Sequence, residues 1–349
     1  MRTRVLVLAC AVLATPGAAT LVVAGEREGP YRVLEHFAIG GQEAGYDFLR
    51  LDAEAKRLFV AHRSRVEVLD TATGKVVGQI LNTNGVHGIA LAAEYGHGFT
   101  SNGADRAVTM FDLESLRPLK VIQYTGVNPD AIEFDPETQH IYVVNGGSTG
   151  DVTVIAPDTG AIIGNVTLSG SKLEQIAFDG RGRAFVNDEE QSVVHVFDTR
   201  TLRPLAKWSL APGDGPTGIA YDPARHRLFI ACGNRVLIAL NADSGAVVGT
   251  TTIGADPDGA AFDPARKLVF VSNRDGTLTV VRADEPNHYP VVQNVVTGPG
   301  ARTIALDDKT GRIYLPTARF GATPPPTKAQ PEPRPPMIPE SFGILVIGQ

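Results

Sequence analysis

A unit of four short apolar runs recurs seven times along this chain, and little else in the sequence is compatible with that recurrence. The first run of each copy ends at an equivalent anchor: Asp52, Ala92, Asp135, Asp179, Asp222, Asp263 and Asp307. Successive anchors lie 40, 43, 44, 43, 41 and 44 residues apart. The anchors close FLRLD, GIALA, AIEFD, QIAFD, GIAYD, GAAFD and TIALD. A second run follows each (LFVAH, GFTSN, IYVVN, AFVND, LFIAC, VFVSN, IYLPT), and then a third, as in VTVIA and LTVVR. A fourth occurs six times, near Val76, Leu119, Ile162, Leu205, Val247 and Val291. Short β-branched runs split by Asp, Asn, Gly and Pro are strands of an antiparallel meander. One such unit cannot bury its own apolar surface, so the copies must stack on one another.

The seventh copy ends at Gly348-Gln349 without a fourth run, while Tyr31 to Ile39 (YRVLEHFAI) precedes the first copy without a partner. Pairing that strand beside Gly343–Ile347 closes a ring and removes two exposed sheet edges. The expected fold is therefore all-β: a seven-bladed β-propeller of four-stranded antiparallel blades, its last blade closed by the N-terminal strand. A linear solenoid of the same period would need polar capping units, and none is evident. The Asp-Pro pairs at 135, 222 and 263 and the Asp-to-Gly turns at 70–74, 158–160 and 243–245 suit tight hairpins. Residues 321–339 break the pattern with eight Pro in GATPPPTKAQPEPRPPMIP. This composition predicts an extended surface loop, with a docking segment as the alternative.

The first residues have a different character. Arg2 and Arg4 precede the apolar run Val5 to Ala14 and the small residues around Ala18-Ala19. This predicts a secretory signal peptide over 1–24, cleaved after Ala19 or Ala24, with residues 25–349 forming one domain in the periplasm or outside the cell. An uncleaved N-terminal anchor is the rival reading. Losing Arg2 and Arg4 takes the formal charge from −6 to −8, which disfavours nucleic acid as a partner. Cleavage also leaves Cys232 as the sole cysteine, so packing rather than an intramolecular disulfide must hold the domain. Cys232 reads as a packing group before a nucleophile. Trp208 reads as blade packing, and a chain with this single Trp does not resemble a quinoprotein. No Cys-x-x-Cys-His, P-loop or His-Glu-x-x-His motif is present, and the one Gly-x-Ser-x-Gly run, residues 146–150, falls between two strand runs and not at the strand-to-helix turn of a nucleophile elbow.

Antiparallel strands place the start of the first strand and the end of the second at one edge of each blade. The residues five before each anchor are Asp47, His87, Asp130, Glu174, Thr217, Asp258 and Arg302. Those ending the second runs are His62, Asn102, Asn145, Asn187, Cys232, Asn273 and Thr317. A closed ring is expected to gather them at one mouth of the central channel, where convergent polar groups make a ligand site. Four carboxylates there would attract cations. Asp130, Asn145, Glu174 and Asn187 form the expected metal set, with hard oxygen ligands suited to Ca²⁺ or Mg²⁺. His62 and His87 could serve a transition metal or proton transfer. Each residue also has a plain alternative role, solvated or closing a turn.

The runs IYVVN and DVTVIAPDTGAIIGNVTL, PTGIAYDPARHRLFIA, and PDGAAFDPARKLVFVSNRDGTLTVV resemble the YVTN-type β-propeller repeat, in particular its periplasmic YncE-like branch. Ala92 at an anchor, Cys232 in place of Asn, and the Pro-rich insertion depart from it. The resemblance implies a seven-bladed, exported protein and is weak on activity. A binding protein for a small molecule or a cell-envelope protein, monomeric and without a transmembrane span after cleavage, is the leading expectation. A lactonase-like metal-dependent hydrolase is the first alternative and nucleic-acid binding, seen in a relative, the second.

Overall fold

The computed structural model describes residues 29–123, 126–147, 150–170, 172–328, 330–331 and 333–349. The expected signal peptide lies outside them. The strands form seven four-stranded antiparallel sheets. Six are consecutive meanders; blade 3, for example, runs Pro129–Asp135, His140–Asn145, Asp151–Ile155 and Ile162–Thr167. The seventh combines Ala305–Asp307, Arg312–Thr317 and Gly343–Gly348 with the strand Arg32–Ala38. That last pairing is antiparallel, Val33 opposite Ile347 and Phe37 opposite Ile344. The ring closes as the displaced run predicts.

Burial explains why the middle strands are continuously apolar. The second and third strands of a blade are covered on both faces by neighbouring blades, as in His140–Asn145 and Asp151–Ile155. The fourth strands are outermost and mostly solvated; Ile122 is the buried residue of Pro118–Gln123. Seven apolar clusters follow, one for each pair of adjacent blades. The one at the closure joins Phe37, Leu49, Leu58 and Val60 to Tyr314, Phe342, Ile344 and Val346. On the other side of blade 7, facing blade 6, the Gln293 side chain clamps the backbone of Tyr31, accepting from its N–H at 3.1 Å and donating to its carbonyl at 2.7 Å. Trp208 lies in the fourth strand of blade 4, with its ring centroid 6.0 Å from that of Phe185.

The anchor carboxylates close the turns between first and second strands. Asp222 accepts from Ala224 N–H at 2.9 Å, and Asp263 from Ala265 N–H at 3.0 Å. Ala92 is an exception because blade 2 builds the turn differently. A 3₁₀ turn over Ala93–Tyr95 ends at Gly96, whose φ of 69° suits a residue without Cβ and whose N–H donates to Ala93 O at 3.0 Å. The Pro-rich insertion leaves blade 7 as a finger with a paired base. Phe320 bridges Met337, and Gly321 N–H donates to Pro336 O at 2.8 Å. Phe320 and Met337 pack against the closure cluster.

Candidate functional site

Asp47, His87, Asp130, Glu174, Thr217, Asp258 and Arg302 all line one cavity of about 290 Å³ at a mouth of the central channel. A recurring irregularity brings them there. The ladder between first and second strands slips between Val86 and Ile89, Pro129 and Ile132, Leu173 and Ile176, Pro216 and Ile219, and Pro257 and Gly259. Each interval contains the candidate residue of its blade. A bulge re-aims a side chain that a regular strand would keep in register. Just below, the blades approach so closely that a Cβ on Gly218 would lie 2.7 Å from Ala260 N.

The second set goes elsewhere. His62, Asn102, Asn145, Asn187, Cys232, Asn273 and Thr317 are buried, and none lines the cavity. Side chains alternate along a strand, so sharing an edge with the first strand does not mean sharing its face. Asn145 sits opposite Pro129, one residue out of step with Asp130, and donates to Asp151 and Thr153 within its blade. Asn102 bonds Thr100 and Thr109, and Asn273 donates to Thr277 and Thr279. His62 lies between Glu67 and the Glu43 carbonyl. Asn187 donates to the Thr217 carbonyl at 2.9 Å, tying blade 4 to blade 5. The set Asp130, Asn145, Glu174 and Asn187 is therefore not assembled around one point. Among the described residues, the donor atoms that do converge are those of Asp47, His87 and Asp130, all within 4.8 Å of one another.

Inter-blade bonds hold the mouth together. Thr303 donates to Asp47 O at 2.6 Å, Phe48 N–H to His87 O at 3.1 Å, and Thr217 to Pro257 O at 2.9 Å. Gln175 crosses beneath the mouth from blade 4, donating to Asp258 O at 2.8 Å and accepting from Ile219 N–H at 3.3 Å. Deeper still is a cavity of about 230 Å³ walled largely by Ile89, Ile132, Ile176, Ile219 and Ile304, with an Arg50–Glu133 ion pair in its lining.

The mouth is less acidic than its first-strand residues alone suggest. Loops add Lys172, Glu189, Asp256, Arg274 and Arg334. Glu189 and Arg274 directly follow the second strands of blades 4 and 6, and Lys172 and Asp256 precede first strands by one residue. These positions also recur at the repeat period, a signal that was legible once first-strand starts were aligned. Arg334 comes from the Pro-rich finger, for which no repeat supplies an alignment.

Arg302 contacts Asp258 at 2.7 Å and Asp47 at 3.3 Å, donates to Tyr46 O, and lies over the Tyr46 ring. Arg274 meets Asp258 at 2.8 Å. Burial pushes the Asp258 carboxyl up, but the two guanidiniums outweigh it and hold the group below its usual range. Burial would lower His87, yet its 2.7 Å hydrogen bond to Asp47 and the charge of Asp130, 3.8 Å away, raise it to about 9. Asp130 is raised to about 6 by burial, with Asp47 and Asp258 adding to the effect and His87 and Arg302 opposing it. Glu174 is raised to about 10 by burial, then by Asp130 and by a hydrogen bond with Glu189. Lys172 approaches Glu174 to 3.6 Å and also pairs with Glu189. At neutral pH the mouth thus holds a protonated imidazole and a protonated carboxyl beside ionised acids and guanidiniums, able to donate and accept at once.

Comparisons with known proteins bear on the fold. No family model matches the chain, and no curated protein sequence does. Solved structures do match. A chain of the "Kuenenia stuttgartiensis Hydrazine Synthase" structure superposes with a TM-score of 0.70 at 15% identity, covering 79% of this chain and 94% of that one. The "Crystal structure of RRP9 WD40 repeats" gives 0.73 at 9% identity, over 93% and 99%. A chain of the "Crystal Structure of Mitotic Checkpoint Complex" gives 0.69 at 17%, over 90% and 96%. The fold is a WD40-like seven-bladed β-propeller. Among the described residues no helix is long and apolar enough to cross a membrane.

Proposed function

We propose that this protein is a secreted or periplasmic binding protein whose ligand occupies the channel mouth. One observation carries the reading: all seven blades deliver a channel residue into a single cavity, which Gln175 spans from below. Convergent polar groups of both charges in a concave site fix the orientation of a small ligand. The basic and apolar N-terminal residues support export, and the YVTN-type repeat runs support a cell-envelope setting. The acidic chain gives no support to nucleic acid as the partner.

The test is native mass spectrometry of the mature protein, purified without denaturation, beside an Asp130→Asn/Glu174→Gln variant. A small molecule carried by the wild type and lost from the folded variant is expected. The same mass bound to both proteins would move the site away from the mouth.

The proximity of Asp47, His87 and Asp130 favours a second reading, a divalent ion serving a metal-dependent hydrolase. Such an ion would polarise a carbonyl or activate water, with a carboxylate as base. Against it, the Nδ1 of His87 is engaged by Asp47, and Arg302 already places positive charge on the same carboxylate. Metal analysis after exposure to Ca²⁺, Mg²⁺ and Zn²⁺ separates the readings: stoichiometric retention would favour the hydrolase.

A further inference from the structure

We propose that the mouth takes a zwitterion with separated ends, of the class of a di- or tripeptide, its ammonium toward blades 3 and 4 and its carboxylate toward blades 6 and 7. This rests on the mouth being the ligand site. The cavity lining is polarised between those two sides.

On one side Asp130, Glu174 and Glu189 face a single ammonium, that of Lys172. Asp130 meets His87 no closer than 3.8 Å, and Glu174, hydrogen-bonded to Glu189, meets Lys172 at 3.6 Å. That sector retains acceptor capacity. A ligand ammonium there would bring three donors to carboxyl groups already sheltered from water, where a charge-assisted bond is strong.

On the other side the surplus is in donors. The Nε–H of Arg274 is buried and meets no acceptor. Arg334, held at the rim by the Pro-rich finger, has neither a hydrogen bond nor an ion pair among the described residues. Arg302, by contrast, is spent on Asp258, Asp47 and Tyr46 O. A buried guanidinium N–H without an acceptor is costly, and a ligand carboxylate is the planar acceptor that suits it.

Neither a simple amine nor a simple carboxylate satisfies both sides. A cavity of about 290 Å³ sits at the low end of small-molecule sites, which fits a compact ligand. Blades 3 and 4 lie across the ring from blades 6 and 7, so the two charges must stand apart, as they do at the ends of a short peptide.

The experiment is calorimetric titration of the mature, full-length protein with three probes of nearly equal shape: triglycine, triglycinamide and N-acetyltriglycine. Triglycine is expected to bind about tenfold or more tightly than either capped form, since each cap removes one charge-assisted contact. Arg334→Ala, on an exposed finger, should erase the advantage over triglycinamide; Asp130→Asn, which removes the ionised carboxylate of the other side, should erase the advantage over N-acetyltriglycine. Equal binding of triglycine and triglycinamide would overturn the proposal in favour of a cation site. Equal binding of triglycine and N-acetyltriglycine would overturn it in favour of an anion site. If no probe binds, the peptide class is wrong, while a small molecule retained by wild type and lost from the mouth variant would still uphold the mouth as the ligand site.

Discussion

At the scale of single residues, Glu174 makes the sharpest prediction. Its carboxyl faces Asp130, Glu189 and Asp258 with only Lys172 to offset them, and is raised to about 10 from an ordinary 4.5. Between those values the folded protein holds a proton that the unfolded chain has released, so stability falls as pH rises, by up to about 1.4 kcal/mol per pH unit. His87, raised from 6.5 to about 9, adds a loss of the same sign above its unfolded value. Glu174→Gln mimics the protonated group. Urea unfolding at pH 5, 6.5 and 8 should show the variant gaining on the wild type at each step, whereas a constant difference would mean that Glu174 is ionised in the fold. Cys232 makes a simpler prediction. Its thiol is buried among Ile230, Ile238 and Leu240 and pushed up to about 12 by burial. It should therefore not react with a disulfide reagent in the native protein and should react stoichiometrically in guanidinium. Native labelling at the rate of a free thiol would contradict this burial.

At the scale of elements, two features decide the site: the bulged first strands and the strand that closes blade 7. Gly218 shows how tightly the bulges are packed. Its Cβ in an alanine variant would meet the Ala260 backbone at 2.7 Å, a contact backbone cannot yield cheaply. Gly218→Ala should cost about 1–3 kcal/mol in chemical denaturation, and should weaken ligand retention at the adjoining mouth. The closing strand depends on Gln293, which satisfies both polar groups of the Tyr31 peptide backbone. Gln293→Leu leaves those buried groups unpaired and should cost about 2–4 kcal/mol. Full stability in that variant would show that closure does not depend on the clamp.

At the scale of the molecule, seven blades and seven apolar interfaces make one circular core. If any one blade unfolds, both of its neighbours lose an interface, so partial unfolding exposes apolar surface on two blades. Calorimetry should give a single transition, with calorimetric and van't Hoff enthalpies in agreement. Removing residues 29–38 opens the ring at Gly343–Gly348 and takes away Phe37 and Tyr31 from two clusters. The truncated protein should lose that single transition and expose a sheet edge prone to association.

Much of this architecture was legible in the residues themselves. A period of 40 to 44, the strand-and-turn chemistry within it, one surplus run before the first copy and one missing from the last specify blade number, blade order and the mode of closure. These are matters of local propensity and of pairing every edge, which a linear pattern carries. The channel residues were legible too, because Asp47, His87, Asp130, Glu174, Thr217, Asp258 and Arg302 share one position relative to the anchors. What the residue order could not settle was which way neighbouring side chains face. Asn145 and Asp130 sit at the same edge, yet alternation along the strand sends one into the blade and a bulge turns the other into the channel. Nor could it show that Arg334, some 30 residues beyond Arg302 on an insertion without a repeat counterpart, reaches the mouth. The charge balance of the site is a sum over loops from several blades, and only the closed ring brings those charges within each other's field.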